Sequence, residues 1–462
     1  MVNAAKLITW TAWCGSLALS TAAVGGSAYA DTVSIGNPVD GNNGFGVVTE
    51  GDAMLGSTES EGPVAIGGNL SFGSGYNVAI HTPGTYTAPG DSQPTALLVG
   101  GRVNYTGSAP DGVLKVLQNG YAKIGNMAGS DAKVTDSNGA QVNTHITGTG
   151  GAYDSTPRIE LTTRETESAV GRANLMDFAS LFSTYRDRAD TMAQCATNVT
   201  LLDGNGTALP DQENVAPGSR VKVELTPGKT NVLHVTGETL NNLNEIDFLN
   251  QPSADTPFLV VVDTTDTDGT LTWHTPTLAG VSGTDAPYMM WDFPDATDIT
   301  IADGDTVEGT IYAPRANLTD LDPSNTEGDI IAKTLTAGPI DGPTGPVNAG
   351  EIHYFPFDAN LECDDSSPSP SPTDTPSPTN TPTPHSQSPT PTDSTPTPSP
   401  TSPIPTPQPS TPAPSPKPTG PELANTGSDN RVVSFAAAGA IALTTTGAAL
   451  AMWARRQRNS RN

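Results

Sequence analysis

Glu308-Gly309-Thr310-Ile311-Tyr312-Ala313 is followed nineteen residues later by Glu327-Gly328-Asp329-Ile330-Ile331-Ala332, and both match Glu61-Gly62-Pro63-Val64-Ala65-Ile66 near the start of the chain. All three carry Glu-Gly-x-(Ile/Val)-x-(Ala/Ile). A period near twenty, in which a glycine corner leads into a short alternating strand, is what one coil of a β-solenoid requires. Glycine admits the dihedral angles of a tight corner, and alternate strand residues point inward to stack on the coil below. Ile66-Gly67-Gly68-Asn69-Leu70 and Val99-Gly100-Gly101-Arg102-Val103 have the same corner-strand character. A β-sandwich with glycine-rich turns is the competing fold for these residues.

One segment breaks the pattern. Leu175, Phe178, Phe182, Tyr185, Ala189 and Met192 are spaced alternately by three and four, which places them on one face of a helix within residues 166–195. Cys195 is the next step on that face, so it should point toward the body of the domain. Cys363 lies at the domain's last residues. The leader's Cys14 apart, these are the only cysteines, and an even pair in an exported chain reads as a disulfide.

Export is written at the N-terminus. Lys6 precedes an apolar run over residues 7–24, and Ser27-Ala28-Tyr29-Ala30 supplies the small residues Ala28 and Ala30 of a leader-peptidase site. Residues 1–30 are thus a signal peptide, with cleavage expected after Ala30. At the other end, residues 366–421 hold 21 of the 42 prolines, interleaved with Ser and Thr. Such a segment has nothing to bury, stays disordered or extended as polyproline II, and forms a stalk. Residues 422–462 open with Leu423-Ala424-Asn425-Thr426-Gly427, continue through an uncharged apolar run at 432–453, and close on Arg455, Arg456, Arg458 and Arg461. As a helix that run would be about 33 Å long, enough to cross a bilayer core of about 30 Å, and the arginines place the tail inside.

The order pentapeptide, apolar span, basic tail resembles the cell-wall sorting signal of Gram-positive surface proteins, in its LAxTG variant. The resemblance implies that a sortase cleaves between Thr426 and Gly427 and that an amine of the peptidoglycan precursor resolves the acyl-enzyme. Sortase and that precursor are then partners, the membrane helix serves only before sorting, and the mature protein is extracellular and covalently attached to the wall.

The remaining domain, residues 31–365, holds 14 basic and 45 acidic residues, against a net charge of −28 for the whole chain. So negative a surface argues against nucleic-acid partners, because phosphate contacts need clustered Lys and Arg. Catalytic signatures are missing as well: the six histidines form neither His-x-His nor His-Glu-x-x-His, and Gly280-Val281-Ser282-Gly283 is one residue short of a nucleophile elbow. Paired carboxylates of a β-helical carbohydrate-active enzyme remain an alternative that spacing alone does not decide. Asp263, Asp266 and Asp268 have the oxygen density of a Ca²⁺ loop. They also sit before Gly269 between two apolar runs, where Asp-Gly suits a hairpin turn, and the turn is the stronger expectation. No cofactor is implied.

Over most of residues 40–360 the chain resembles the choice-of-anchor A domain, an ice-binding-like adhesive domain of bacterial surface proteins. The residues that carry the likeness are Gly51-Asp52 with Glu61-Gly62 and Gly67-Gly68-Asn69-Leu70, then Met290-Trp291-Asp292-Phe293-Pro294-Asp295-Ala296-Thr297, Gly309-Thr310-Ile311-Tyr312-Ala313-Pro314, and Glu351-Ile352-His353-Tyr354-Phe355-Pro356-Phe357. The resemblance implies a mainly β fold, a discontinuous right-handed β-helix with one long α-helix packed alongside, and no established ligand; the expected role is an adhesin whose extracellular ligand, protein or glycan, the sequence does not name. An ice-binding role would need a regular row of exposed threonines, and Thr270-Leu271-Thr272 with Thr275-Pro276-Thr277 is too scattered along the chain to establish one.

Overall fold

The computed structural model describes residues 32–339 and 348–364. The leader with Ala28 and Ala30, the stalk, and the sorting region with Leu423, Ala424, Asn425, Thr426, Gly427 and the helix at 432–453 lie outside the described residues. Among the described residues the chain is mainly β, no helix is long and apolar enough to cross a membrane, and short parallel strands stack as coils with three sheet faces.

The nineteen-residue spacing is one coil of the stack. Ile311, Tyr312 and Ala313 lie against Ile330, Ile331 and Ala332 in parallel register. Glu308 and Glu327 pair on the strand before, so each glutamate ends one face and the glycine after it turns the corner. Gly309 and Gly328 sit at φ 109° and 152°. A Cβ on Gly328 would come within 2.6 Å of the Gly309 carbonyl, so stacked corners leave no room for a side chain.

Two stretches of chain build the stack from different directions. Val47–Thr49, Val64–Ile66, Thr95–Val99 and Tyr121–Ile124 add outward from the middle of the first face. Asn231–Thr236, Phe258–Asp263, Met289–Asp292, Thr310–Asp320 and Ile330–Ala337 start at the far end and return toward it. They meet at a seam, where Val47 and Val48 pair with Ile330 and Ile331. The three Glu-Gly segments are therefore not consecutive coils, since residues 47–49 separate the one at 64–66 from the one at 330–332.

The first face is covered by a helix. Val48, Ala65, Leu98, Leu259, Met290, Tyr312 and Ile331 point outward from its strands and pack with Phe178, Phe182, Tyr185, Ala189 and Met192 of the helix Phe178–Met192. Their neighbours Val47, Val64, Leu97, Val260, Trp291, Ile311 and Ile330 point into the coil interior. Apolar residues on both sides make these strands continuous hydrophobic runs. The Tyr185 hydroxyl donates to the Val39 carbonyl at 3.0 Å, and the Tyr312 hydroxyl to the Tyr185 carbonyl at 3.1 Å.

The helix is shorter than the spacing predicts. Residues 166–195 contain one turn, Glu167–Val170, and then a break before Phe178. Asn174 in that break has φ 59°, in the left-handed region, and the Asp177 carboxylate accepts from the Ser180 amide at 3.1 Å, which caps the helix there. The expected hairpin at Asp263, Asp266 and Asp268 is also corrected. Phe258–Asp263 pairs in parallel with its neighbours on the first face, and Thr270–Thr275 pairs in parallel with Asp298–Gly304 on the second. The loop between them is a coil corner, because the next strand belongs to another face.

Cys195 and Cys363 form the disulfide read from the sequence, with Cα atoms 5.5 Å apart. Leu361–Asp364 pairs antiparallel with Thr32–Gly36, so the first and last described strands hold each other beside the helix. Replacing Cys363 with Ser should lower unfolding stability by about 2–5 kcal/mol and lower the rupture force when the chain is pulled from its C-terminal side. Unchanged values in denaturant melts and force spectroscopy would refute this.

Several acids are buried in the stack. Burial pushes Glu308 up to about 8, with Glu327, Asp305 and Asp285 adding to the effect. It raises Asp320 and Asp329 to about 7. Asp329 Oδ2 accepts the Phe357 amide at 3.0 Å, whereas its Oδ1 has no partner. A carboxyl raised on folding stabilises fully below its unfolded value and loses that contribution as pH climbs through the folded one. The melting temperature should therefore fall between pH 5 and pH 8, and Asp329→Asn should flatten that slope. A melting temperature that rises over this window would contradict it.

Candidate functional site

The second face is built from Ala53–Leu55 and Leu70–Phe72 of the first stretch, and from Thr270–Thr275, Asp298–Gly304 and the later parts of Thr310–Asp320 and Ile330–Ala337. Its strands alternate, as a sheet with one wet side should. Leu271, Ile299, Leu318, Leu335, Ala53 and Leu70 point into the core, each buried and in register with the next.

One step along the chain, the outward residues form a row. Thr272 pairs with Thr300, Thr300 with Thr319, and Thr319 with Thr336. Met54 and Ser71 continue it. At the parallel-strand spacing of about 4.8 Å, the four threonines span about 14 Å and the whole row about 24 Å. Thr272 is exposed and the other three are half-exposed. Among the described residues none of the four hydroxyls has a hydrogen-bond partner, so all four are free to meet a ligand or ordered water.

The neighbouring row is polar but internally bonded. It runs Thr270, Asp298, Asn317, Thr334. Asn317 donates to Asp298 at 2.9 Å and accepts from the Thr334 hydroxyl at 2.9 Å. Farther on, Asn69 donates through its side chain to Asp52 at 3.1 Å and accepts the Arg102 amide at 3.2 Å. These bonds fix one edge of the threonine row and supply charge beside it.

This row corrects the expectation from Thr270-Leu271-Thr272 and Thr275-Pro276-Thr277. Only Thr272 belongs to it. Its partners come from Ile299-Thr300-Ile301, Leu318-Thr319 and Thr334-Leu335-Thr336, each an apolar-threonine alternation on a different coil. The signal lay across coils, at separations set by the strand register.

A second cluster sits where the Glu-Gly corners leave the third face. Glu308, Glu327 and His353 occupy one row of paired strands. His353 Nε2 lies 3.1 Å from Glu351 and 3.8 Å from Glu61, and its Nδ1 is 3.4 Å from Glu327. His81 pairs with Glu61 at 3.1 Å. Burial opposes charge on His353, but the Glu351 hydrogen bond and the charges of Glu61 and Glu327 outweigh it and raise the imidazole above its usual value. The Glu of the repeat motif thus builds an acid-histidine ladder along one corner.

Asp263 spends its carboxylate locally, accepting the Thr265 amide at 2.8 Å and hydroxyl at 2.6 Å. Asp268 adopts φ 52° ahead of Gly269. Among the described residues no group of three or more His, Cys, Asp or Glu is arranged to hold a metal ion.

No curated protein matches the chain. A solved structure titled "Crystal structure of an ice binding protein from an Antarctic Biological Consortium" aligns at TM-score 0.24 and 11% identity, covering 70% of this chain and 90% of that one. Residues 38–342 match the family described as "Putative Ice-binding-like adhesive domain". That span takes in both stretches of the stack, the covering helix and the threonine row, and the chain belongs to this ice-binding-like adhesive domain family.

Proposed function

We propose that the protein is an extracellular adhesin, exported by cleavage after Ala30 and joined to peptidoglycan through Thr426 after a sortase releases Gly427. The stalk at 366–421 carries the head clear of the wall, and the head binds a protein or glycan surface through its second face. It acts by binding, without a catalytic step. The winding of its coils is taken as right-handed, the usual hand of parallel crossovers.

The row Thr272, Thr300, Thr319, Thr336 carries this reading. A flat array of methyl and hydroxyl groups at a fixed spacing suits a repeating, hydroxyl-rich surface such as a polysaccharide, and its rigidity limits the entropy lost on binding. The same row favours ice as a second ligand, since ordered water is also a repeating array of donors and acceptors. The charges of Asp298 and Asp52 beside it favour the hydrated glycan. A carbohydrate-active enzyme is the remaining alternative, with the ladder around His353 as its place.

Three measurements separate these. On a glycan and matrix-protein array the protein should bind, and Thr319→Lys should weaken binding at least tenfold, about 1.4 kcal/mol, without moving the melting temperature. Thermal hysteresis with no array binding would assign the face to ice, and release of sugar from a bound glycan would move the activity to the His353 ladder. For anchoring, Thr426→Ala should shift the protein from the covalent wall fraction to membrane and medium; unchanged retention in purified wall would refute the sortase step.

A further inference from the structure

Among the described residues, Lys123 is the one lysine that is completely buried. It lies on Tyr121–Ile124 in the outward row of the first face, where its neighbours in register, Leu98, Ala65 and Val48, are apolar. The loop holding Asp91 and the segment at Glu165 close over it. Its Nζ lies 2.8 Å from Asp91 Oδ2, contacts Glu165 Oε1, and donates to the Ala169 carbonyl at 2.8 Å. The Tyr121 ring centroid is 4.8 Å away. Side-chain exposure is 0% for Lys123, 8% for Asp91 and 1% for Glu165.

Such a triad is costly to bury as ions. One ammonium faces two carboxylates, leaving a net negative charge in a dry site, and a well-packed apolar group would serve packing at least as well. The dry site keeps water from competing for the carbonyl. The two carboxylates are not equivalent. Glu165 Oε2 accepts the Ala122 amide at 2.8 Å while Oε1 faces Lys123, so Glu165 is held by both oxygens. Asp91 Oδ2 has Lys123 Nζ at 2.8 Å and no hydrogen bond. Burial raises Glu165 above the usual carboxyl range, which suits a group that passes a proton.

We propose that Lys123 and Asp91 form an intramolecular amide cross-link, with Glu165 as its proton shuttle. Nζ attacks Cγ of Asp91, the new N–C bond forms, and one C–O bond breaks. Glu165 takes a proton from Nζ and delivers it to the departing oxygen. Of the three protons on the ammonium, one stays on the amide nitrogen and two leave with the oxygen as water. The two charges cancel, and no oxidant or reductant is required. The amine and the carboxylate already meet through Oδ2 and are held by the fold, so they need little further ordering to react. The bond would staple the Asp91 loop to the outermost strand of its half-stack.

Tandem mass spectrometry on a protease digest of the full chain tests this directly. The native protein should yield one branched peptide joining the segments around Asp91 and Lys123, lighter than their sum by one water. Asp91→Asn should give the same branched peptide, now by loss of ammonia. Lys123→Arg and Glu165→Gln should give only linear peptides, with the Cys195–Cys363 disulfide reporting that each variant has folded. A native chain that melts cooperatively and yields only the linear peptides overturns the proposal, and so does a branched peptide that persists in full yield in Glu165→Gln.

Discussion

The seam between residues 47–49 and 330–332 holds the molecule together. Val47 and Ile330 are hundreds of residues apart in sequence yet share one parallel ladder, and each half-stack ends on the other. Without it, two edge strands would present unpaired amides and carbonyls, and the interior would open across its middle. Joining such distant segments has a large entropic cost in the unfolded chain, and several elements in the structure work against it. The helix Phe178–Met192 crosses the seam, with Phe178 near Gly67 and Gly100 on one side and Tyr185 against Tyr312 on the other. The disulfide ties the end of that helix to the last described strand.

Parallel register at the seam also governs what each face can be. In-register stacking puts the same strand position above itself coil after coil, so a face takes one chemical character along its length. The first face is apolar outward and is buried under the helix. The second face is threonine outward and stays wet. The corner between the third face and the first repeats glutamate and glycine, which concentrates acid around His353. Departures from the local character then stand out, and Lys123 beside Leu98, Ala65 and Val48 is one of them, with Asp292 farther along the same row another.

Much of this was legible in the chain. The nineteen-residue spacing is one coil of the stack, Cys195 and Cys363 are paired, and the helix buries Phe178, Phe182, Tyr185, Ala189 and Met192, the residues its spacing selects. These features depend on local periodicity or on counting, which sequence retains. The hairpin at Asp263–Gly269 was misjudged because a turn sequence fixes a reversal of the chain, and does not say whether the next strand pairs with the last one or moves to another face. The helix start was misplaced because Leu175 fits the periodicity while Asn174 and Asp177 set the backbone.

By itself, then, the sequence determined an acidic, coil-forming head with a covering helix and a paired set of cysteines, and its composition and short motifs are the ground on which a leader, a stalk and a sorting tail are proposed. Only the tertiary structure decided the order in which the coils stack, and with it the candidate binding face. Thr272, Thr300, Thr319 and Thr336 become neighbours through register, and the loops between them differ in length, so no fixed spacing in the chain announces the row. The same holds for Asp91, Lys123 and Glu165. A contact set by hydrogen-bond register between coils is invisible along the chain until the fold has chosen which strands lie side by side.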